Sequence, residues 1–208
     1  MTKTPLYAHI LLDRSGSMEN CRDTTIDAIN EYVMGLRRSD DVDARLSLTI
    51  FDSNGIDRLA HVEPAKSFLE LSRKNYIPRA STPLLDAIGH VVADTDKVDL
   101  RDGEKVSLVI LTDGFENASK EHTKETIRKL LTDRQDNKNW QVIFLGADVD
   151  AFAEAGAIGV KGGQYLSLKK GRLREAMRHT QASQARYAAG NVDDSNFTDA
   201  ERGDAMKD

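Results

Sequence analysis

Three separated segments of this sequence end in side chains that carry oxygen: Asp13-Arg14-Ser15-Gly16-Ser17, Ser81-Thr82, and Asp113 within Thr112-Asp113-Gly114. Brought to one point, Asp13, Ser15, Ser17, Thr82 and Asp113 supply two carboxylates and three hydroxyls. All are hard donors, and none is a thiolate or an imidazole. That set selects a divalent cation such as magnesium, with manganese and calcium suited to the same donors, and argues against zinc and copper. Gly16 lets the backbone turn sharply between Ser15 and Ser17, so that both hydroxyls can face one centre. Glu116 reads as a charge in the first turn of a helix rather than as a ligand, and Arg14 and Arg79 read as solvated charges on the rim.

Such residues converge only if the elements between them bring strand ends together. Tyr7 to Leu12 is continuously apolar or small, which suits a strand covered on both faces in a parallel sheet, and Val106 to Leu111 and Gln141 to Leu145 read alike. Between Ala44 and Phe51, Leu46, Leu48 and Ile50 alternate with Ser47 and Thr49. The turn-prone Asp52-Ser53-Asn54-Gly55 then leads into a short return strand from Leu59 to Val62, an antiparallel hairpin at the sheet edge.

Helices are expected between these strands. Ile26, Ile29, Val33 and Leu36 recur at helical spacing, placing one from about Asn20 to Leu36. Thr82-Pro83 resembles a cap followed by proline at a helix start, with Leu84, Leu85, Ile88, Val91 and Val92 on the buried face. Further helices are expected from about Lys120 to Arg134, briefly from Asp150 to Ala155, and from about Lys170 to Tyr187. The order β-α-β-β-α-β-α-β-α predicts a Rossmann-like, three-layer α/β/α fold whose central sheet is mostly parallel, with one antiparallel edge strand. In such a sheet the crevice beyond the carboxyl ends of the strands gathers the loops that bind ligands. Ala65 to Pro78 is illegible, and residues 191–208, charged and poor in large apolar groups, read as a disordered tail after a domain of residues 6–190.

The pattern Asp13-x-Ser15-x-Ser17, a distant threonine in Ser81-Thr82-Pro83-Leu84, and Thr112-Asp113-Gly114 resembles the metal-ion-dependent adhesion site of von Willebrand factor A-type domains. The resemblance runs in order from about Tyr7 to about Tyr187, and the chain looks like a soluble intracellular bacterial version. It implies that Ser15, Ser17 and Thr82 bind a cation through their hydroxyls, while Asp13 and Asp113 bind directly or through water. It also implies a non-enzymatic module that grips a glutamate or aspartate of a protein partner. Neutral hydroxyls leave most of the cation's charge uncancelled, so a further carboxylate ligand is attracted. The sequence departs from the family at Arg79-Ala80-Ser81, where a glycine-rich approach to the threonine is common.

Composition narrows the alternatives. With 29 basic and 34 acidic residues the net charge is -5, which disfavours a general nucleic-acid role. Cys21 is the one cysteine, so no internal disulfide forms, and a reduced, cytoplasmic setting is expected. No apolar run reaches the roughly 20 residues of a membrane span. Two other readings remain open. One is a phosphoester hydrolase or phosphotransferase using Asp13 or Ser15, although Asp13-x-Ser15 lacks the Asp-x-Asp of aspartyl phosphotransferases and no Gly-x-Ser-x-Gly elbow occurs. The other is an A-type domain whose metal site is silent. Gly159, Gly162 and Gly163 lack the strand-to-helix context of a phosphate loop.

Overall fold

The computed structural model describes residues 3–147, 151–191 and 195–207. Its six strands lie in the order β3-β2-β1-β4-β5-β6. They are β1 (Thr4–Asp13), β2 (Val42–Asp52), β3 (Gly55–Pro64), β4 (Lys105–Thr112), β5 (Gln141–Ala147) and β6 (Tyr165–Leu168). All neighbours run parallel except the β2–β3 hairpin at one edge. The fold is therefore the expected α/β sandwich with a mostly parallel sheet and one antiparallel edge strand. β1 lies at the centre, and every residue from Leu6 to Asp13 is buried, as the unbroken apolar run required.

Helices cover both faces. On one side α1 (Arg22–Arg38) packs beside α5 (Leu173–Ala188), burying Ile29, Val33, Leu173 and Met177 with Ile10 and Leu48 in one apolar cluster. On the other, α2 (Leu84–Thr95) and α3 (Lys124–Asn137) bury Ile88, Val91, Ile127 and Leu131 against Leu108 and Phe144. The short α4 (Ala151–Ala157) stands where a brief helix was expected, although position 150 of that expectation lies outside the described residues. No described helix is long and apolar enough to cross a membrane.

Several boundaries differ from the sequence expectation, each for a local reason. α3 begins at Lys124 rather than Lys120 because Thr123 and Thr126 form a capping box. The amides of Lys120, Glu121 and His122 instead donate to the Asp86 carboxylate, which holds that segment as a loop. Residues Lys170–Arg172 form a separate 3-10 turn ahead of α5. β6 was not anticipated; four residues alternating between partial and full burial give too brief a pattern.

The tail expected to be disordered is ordered over residues 195–207, where α6 (Asp199–Ala205) forms behind a capping box of Thr198 and Glu201. Phe197 and Ala205 are buried in the α1–α5 core, and Arg202 stacks over the Tyr165 ring at 4.8 Å. Arg186 also pairs with Glu201, and the Arg202 guanidinium donates to the Tyr165 and Gly163 carbonyls, so the segment is docked by contacts from distant elements that composition does not register.

The alternation in β2 conceals a buried polar seam. Ser47 and Thr49 are fully covered and face the opposite side from Leu46, Leu48 and Ile50. Tyr7 donates to Ser47 Oγ at 2.8 Å, while the His9 ring lies 2.8 Å from Thr95 Oγ1 and 2.9 Å from Thr49 Oγ1. Burial holds the His9 imidazole down, to a pKa of about 3. Below pH 6.5 the unfolded chain takes up a proton that the folded chain refuses, so stability falls as pH is lowered from about 6.5 toward 3. Against His9→Gln, which cannot protonate, urea unfolding of the wild type should lose up to about 1.4 kcal/mol per pH unit across that window. Equal slopes for the two proteins would contradict this account.

Candidate metal centre

β1 and β4 pair in register up to Leu12 and Leu111, so the next residues of the two strands, Asp13 and Thr112, stand side by side. The Thr112 hydroxyl donates to Asp13 Oδ2 at 2.6 Å, and the backbone N–H of Ser15 donates to Asp13 Oδ1 at 2.6 Å. These two bonds fix the carboxylate. Asp113 follows at once, and its Oδ1 accepts from Ser17 Oγ at 2.5 Å, with Ser15 Oγ 3.1 Å from Ser17 Oγ. The two serines therefore face the same centre as the two carboxylates, although Asp13 and Asp113 are 100 positions apart.

Thr82 joins them by a route that differs from the expected helix cap. Pro83, not Thr82, occupies the position before α2, and no side chain caps there. Instead Glu116 accepts from the N–H of Leu85 at 2.9 Å, and Ser119 Oγ accepts from that of Asp86 at 3.1 Å. Glu116 is thus neither a first-turn residue of its own helix nor a member of the carboxylate pair; it satisfies the Leu85 amide of α2 from the side. Thr82 is held through its backbone, its N–H donating to Asn117 Oδ1 at 2.9 Å and its carbonyl accepting from Asn117 N–H at 3.1 Å. Its hydroxyl lies beside Gly114: a Cβ there would meet Thr82 Oγ1 at 3.4 Å and Ser17 Oγ at 3.6 Å. All five predicted residues gather at the carboxyl edge of the sheet.

Two supports were invisible in the sequence. Tyr76, in the illegible segment, is fully buried and donates to the Asp13 carbonyl at 2.7 Å. Ala80 takes a left-handed φ of 60°, a conformation that costs a residue with a Cβ about 1–2 kcal/mol. Its carbonyl accepts from Gly16 N–H at 3.0 Å, which joins the two loops. This is the segment where the sequence lacks the glycines that would adopt such a backbone freely.

Arg14 corrects the expectation of a rim charge. It is buried, donating through Nε to Asp52 Oδ2 and through Nη1 to Asp57 Oδ2, both at 2.6 Å. Arg79 remains half-exposed and shares Asp52 Oδ2 at 3.0 Å.

The donors fit a hard cation. Asp13 is fully buried, and that burial pushes its carboxyl up to about 6, the Asp113 charge adding to the rise while the Thr112 and Ser15 hydrogen bonds oppose it. Asp113 Oδ2 is buried and accepts no well-directed hydrogen bond; the Lys170 ammonium meets it at 2.8 Å as an ion pair. Nearby positive charge relieves both carboxylates. Among the described residues no three His, Cys, Asp or Glu side chains gather as a metal site, so a cation here depends on the hydroxyls as well as the two carboxylates.

No protein-family model matches the sequence, and no curated protein does. Solved structures do. The von Willebrand factor domain of the type V pilus tip protein Mfa5 from Porphyromonas gingivalis aligns with a TM-score of 0.66 and 11% identity over 92% of this chain and 97% of that one. Proximal thread matrix protein 1 from the mussel byssus, with a zinc-occupied metal-ion-dependent adhesion motif, aligns at 0.63 and 14% identity over 85% of this chain and 47% of that one. This chain thus spans about half its length. A manganese-loaded TRAP protein from Plasmodium vivax aligns at 0.58 and 15% identity, over 82% and 71% of the two chains. At such identities the likeness is one of fold.

Arg14 and Asp52 supply a test of what holds the loops in place. Removing one partner of a buried ion pair strands the other, at a typical loss of 3–5 kcal/mol. Arg14→Met should lower the free energy of urea unfolding by about 3 kcal/mol, the low end because Arg79 still reaches Asp52. A loss under about 0.5 kcal/mol would show that the pair contributes little.

Proposed function

We propose that this chain, whose fold is that of a von Willebrand factor A-type domain, is a metal-dependent protein-binding module without catalytic activity. Ser15, Ser17 and Thr82 would hold a divalent cation, magnesium first, through their hydroxyls, and Asp13 and Asp113 would hold it directly or through water. The observation that carries the reading is the convergence of these two carboxylates and three hydroxyls from three loops on one edge of the sheet. When bound, such a cation supplies a Lewis-acidic centre for a glutamate or aspartate carboxylate of a partner protein. The protein's own contribution is to pre-position the donors: Thr112 and the Ser15 amide orient Asp13, Ser17 orients Asp113, and Asn117 holds Thr82.

The same geometry speaks against Asp13 as a nucleophile, because both of its oxygens already accept hydrogen bonds and its side chain is fully buried. Cys21, the one cysteine of the sequence, is buried and in no disulfide, which suits a reducing cytoplasm, the setting we assign.

Titration calorimetry on metal-stripped protein should show one site for magnesium or manganese. Asp13→Ala and Asp113→Ala should each abolish it, and Thr82→Val should weaken it by roughly tenfold, the loss of one ligand interaction worth about 1.4 kcal/mol. Absence of binding by magnesium, manganese and calcium alike would refute the proposal, and turnover in a phosphoester panel lost with Asp13→Ala would favour the enzyme.

A further inference from the structure

We infer that Lys170 sets the cation affinity of this site, as a tethered ammonium that a divalent ion must displace from Asp113; this rests on the metal-binding reading above. The Asp113 side chain is wholly shielded from solvent, and its two oxygens have different fates. Oδ1 is committed to the Ser17 hydroxyl, whereas Oδ2 is the oxygen left for a cation, and there the Lys170 Nζ sits at 2.8 Å. A lysine is well suited to such a role. Its charge is compact and rides on a flexible four-carbon stem, so it can occupy an acidic centre and leave it by rotation about single bonds. Arg14, one residue from Asp13, cannot do this, because its guanidinium is pinned by two carboxylates.

The lysine is also delivered from outside the three loops that make the site. It opens the 3-10 turn between β6 and α5, whose backbone is fastened by Lys169 N–H donating to the Ala205 carbonyl at 3.1 Å and Arg172 N–H to the Lys169 carbonyl at 2.7 Å. The turn therefore presents the ammonium from a fixed base on α6. Asp13 and Asp113 together carry two negative charges, and with Lys170 in contact the cluster keeps a net single negative charge. A divalent ion that enters with Lys170 still in contact makes the cluster net positive, while one that displaces it leaves the cluster neutral. Displacement is the favoured exchange, and every binding event then includes the loss of the lysine contact.

The test compares Lys170→Met and Lys170→Gln with wild type by magnesium and manganese calorimetry at about 0.15 M salt, using Lys169→Met as the control. That neighbouring substitution removes the same unit charge without touching Asp113, and screening at this salt limits its effect to less than about threefold. We expect both Lys170 variants to bind metal at least about tenfold more tightly than wild type, the scale of one lost ion contact in a shielded site. Binding by the Lys170 variants with none by wild type supports the inference in its strongest form. Unchanged affinity, or the same gain in Lys169→Met, overturns it while leaving the metal site intact. Failure of all four proteins to bind any divalent ion instead removes the metal reading, and the lysine's role with it.

Discussion

The arrangement depends on one register: the parallel pairing of β1 with β4, which sets the last residue of one strand beside the last residue of the other. Two acidic side chains 100 positions apart in sequence are thereby forced to within a few ångströms of a shared centre, inside a rim that water reaches poorly. Like charges in such a place are unfavourable unless something positive stands between them. The hydroxyls of Thr112 and Ser17 relieve part of this by donating hydrogen bonds, and the rest is left to a cation or to Lys170. A one-residue slip of the β1–β4 pairing would turn Asp13 to the opposite face and dissolve the site.

The legible parts of the sequence were those in which a long, unmixed signal reflects burial. β1, β4 and β5 are covered on both faces, and their apolar runs admit no other reading. Asp13, Ser15, Ser17 and Asp113 could be placed at one sheet edge because each ends or follows such an element, and Thr82 because it precedes an apolar helix. The hidden parts owe their order to few or distant contacts. Tyr76 sits in a segment without periodicity, yet core packing, its hydroxyl bond to the Asp13 carbonyl and the Arg22 guanidinium on its own carbonyl fix it. β6 is four residues long, and α6 is held by buried Ala205, by the preceding Phe197 and by contacts from Arg186 and His179 on α5. Lys170 could not be singled out among 29 basic residues, because nothing local distinguishes it; its position comes from the fold.

Polar residues misread in the sequence share a cause. The chemistry and immediate neighbours of Arg14, Glu116 and Thr82 point one way, but their surroundings are set by segments arriving from elsewhere in the fold. Arg14 turns inward because Asp52 and Asp57 come from the β2–β3 hairpin. Glu116 reaches across to the Leu85 amide and Ser119 to that of Asp86, and these contacts take over the capping expected of Thr82.

The inward turn of Arg14 divides the first loop between two duties. Asp13, Ser15 and Ser17 face the centre while the intervening arginine, fastened on the hairpin side, anchors the loop to the sheet edge. A substitution at position 14 therefore disturbs the scaffold before it alters the face lined by Asp13, Ser15 and Ser17. Exposed Ile77 and Phe115, by contrast, project outward without carrying the frame.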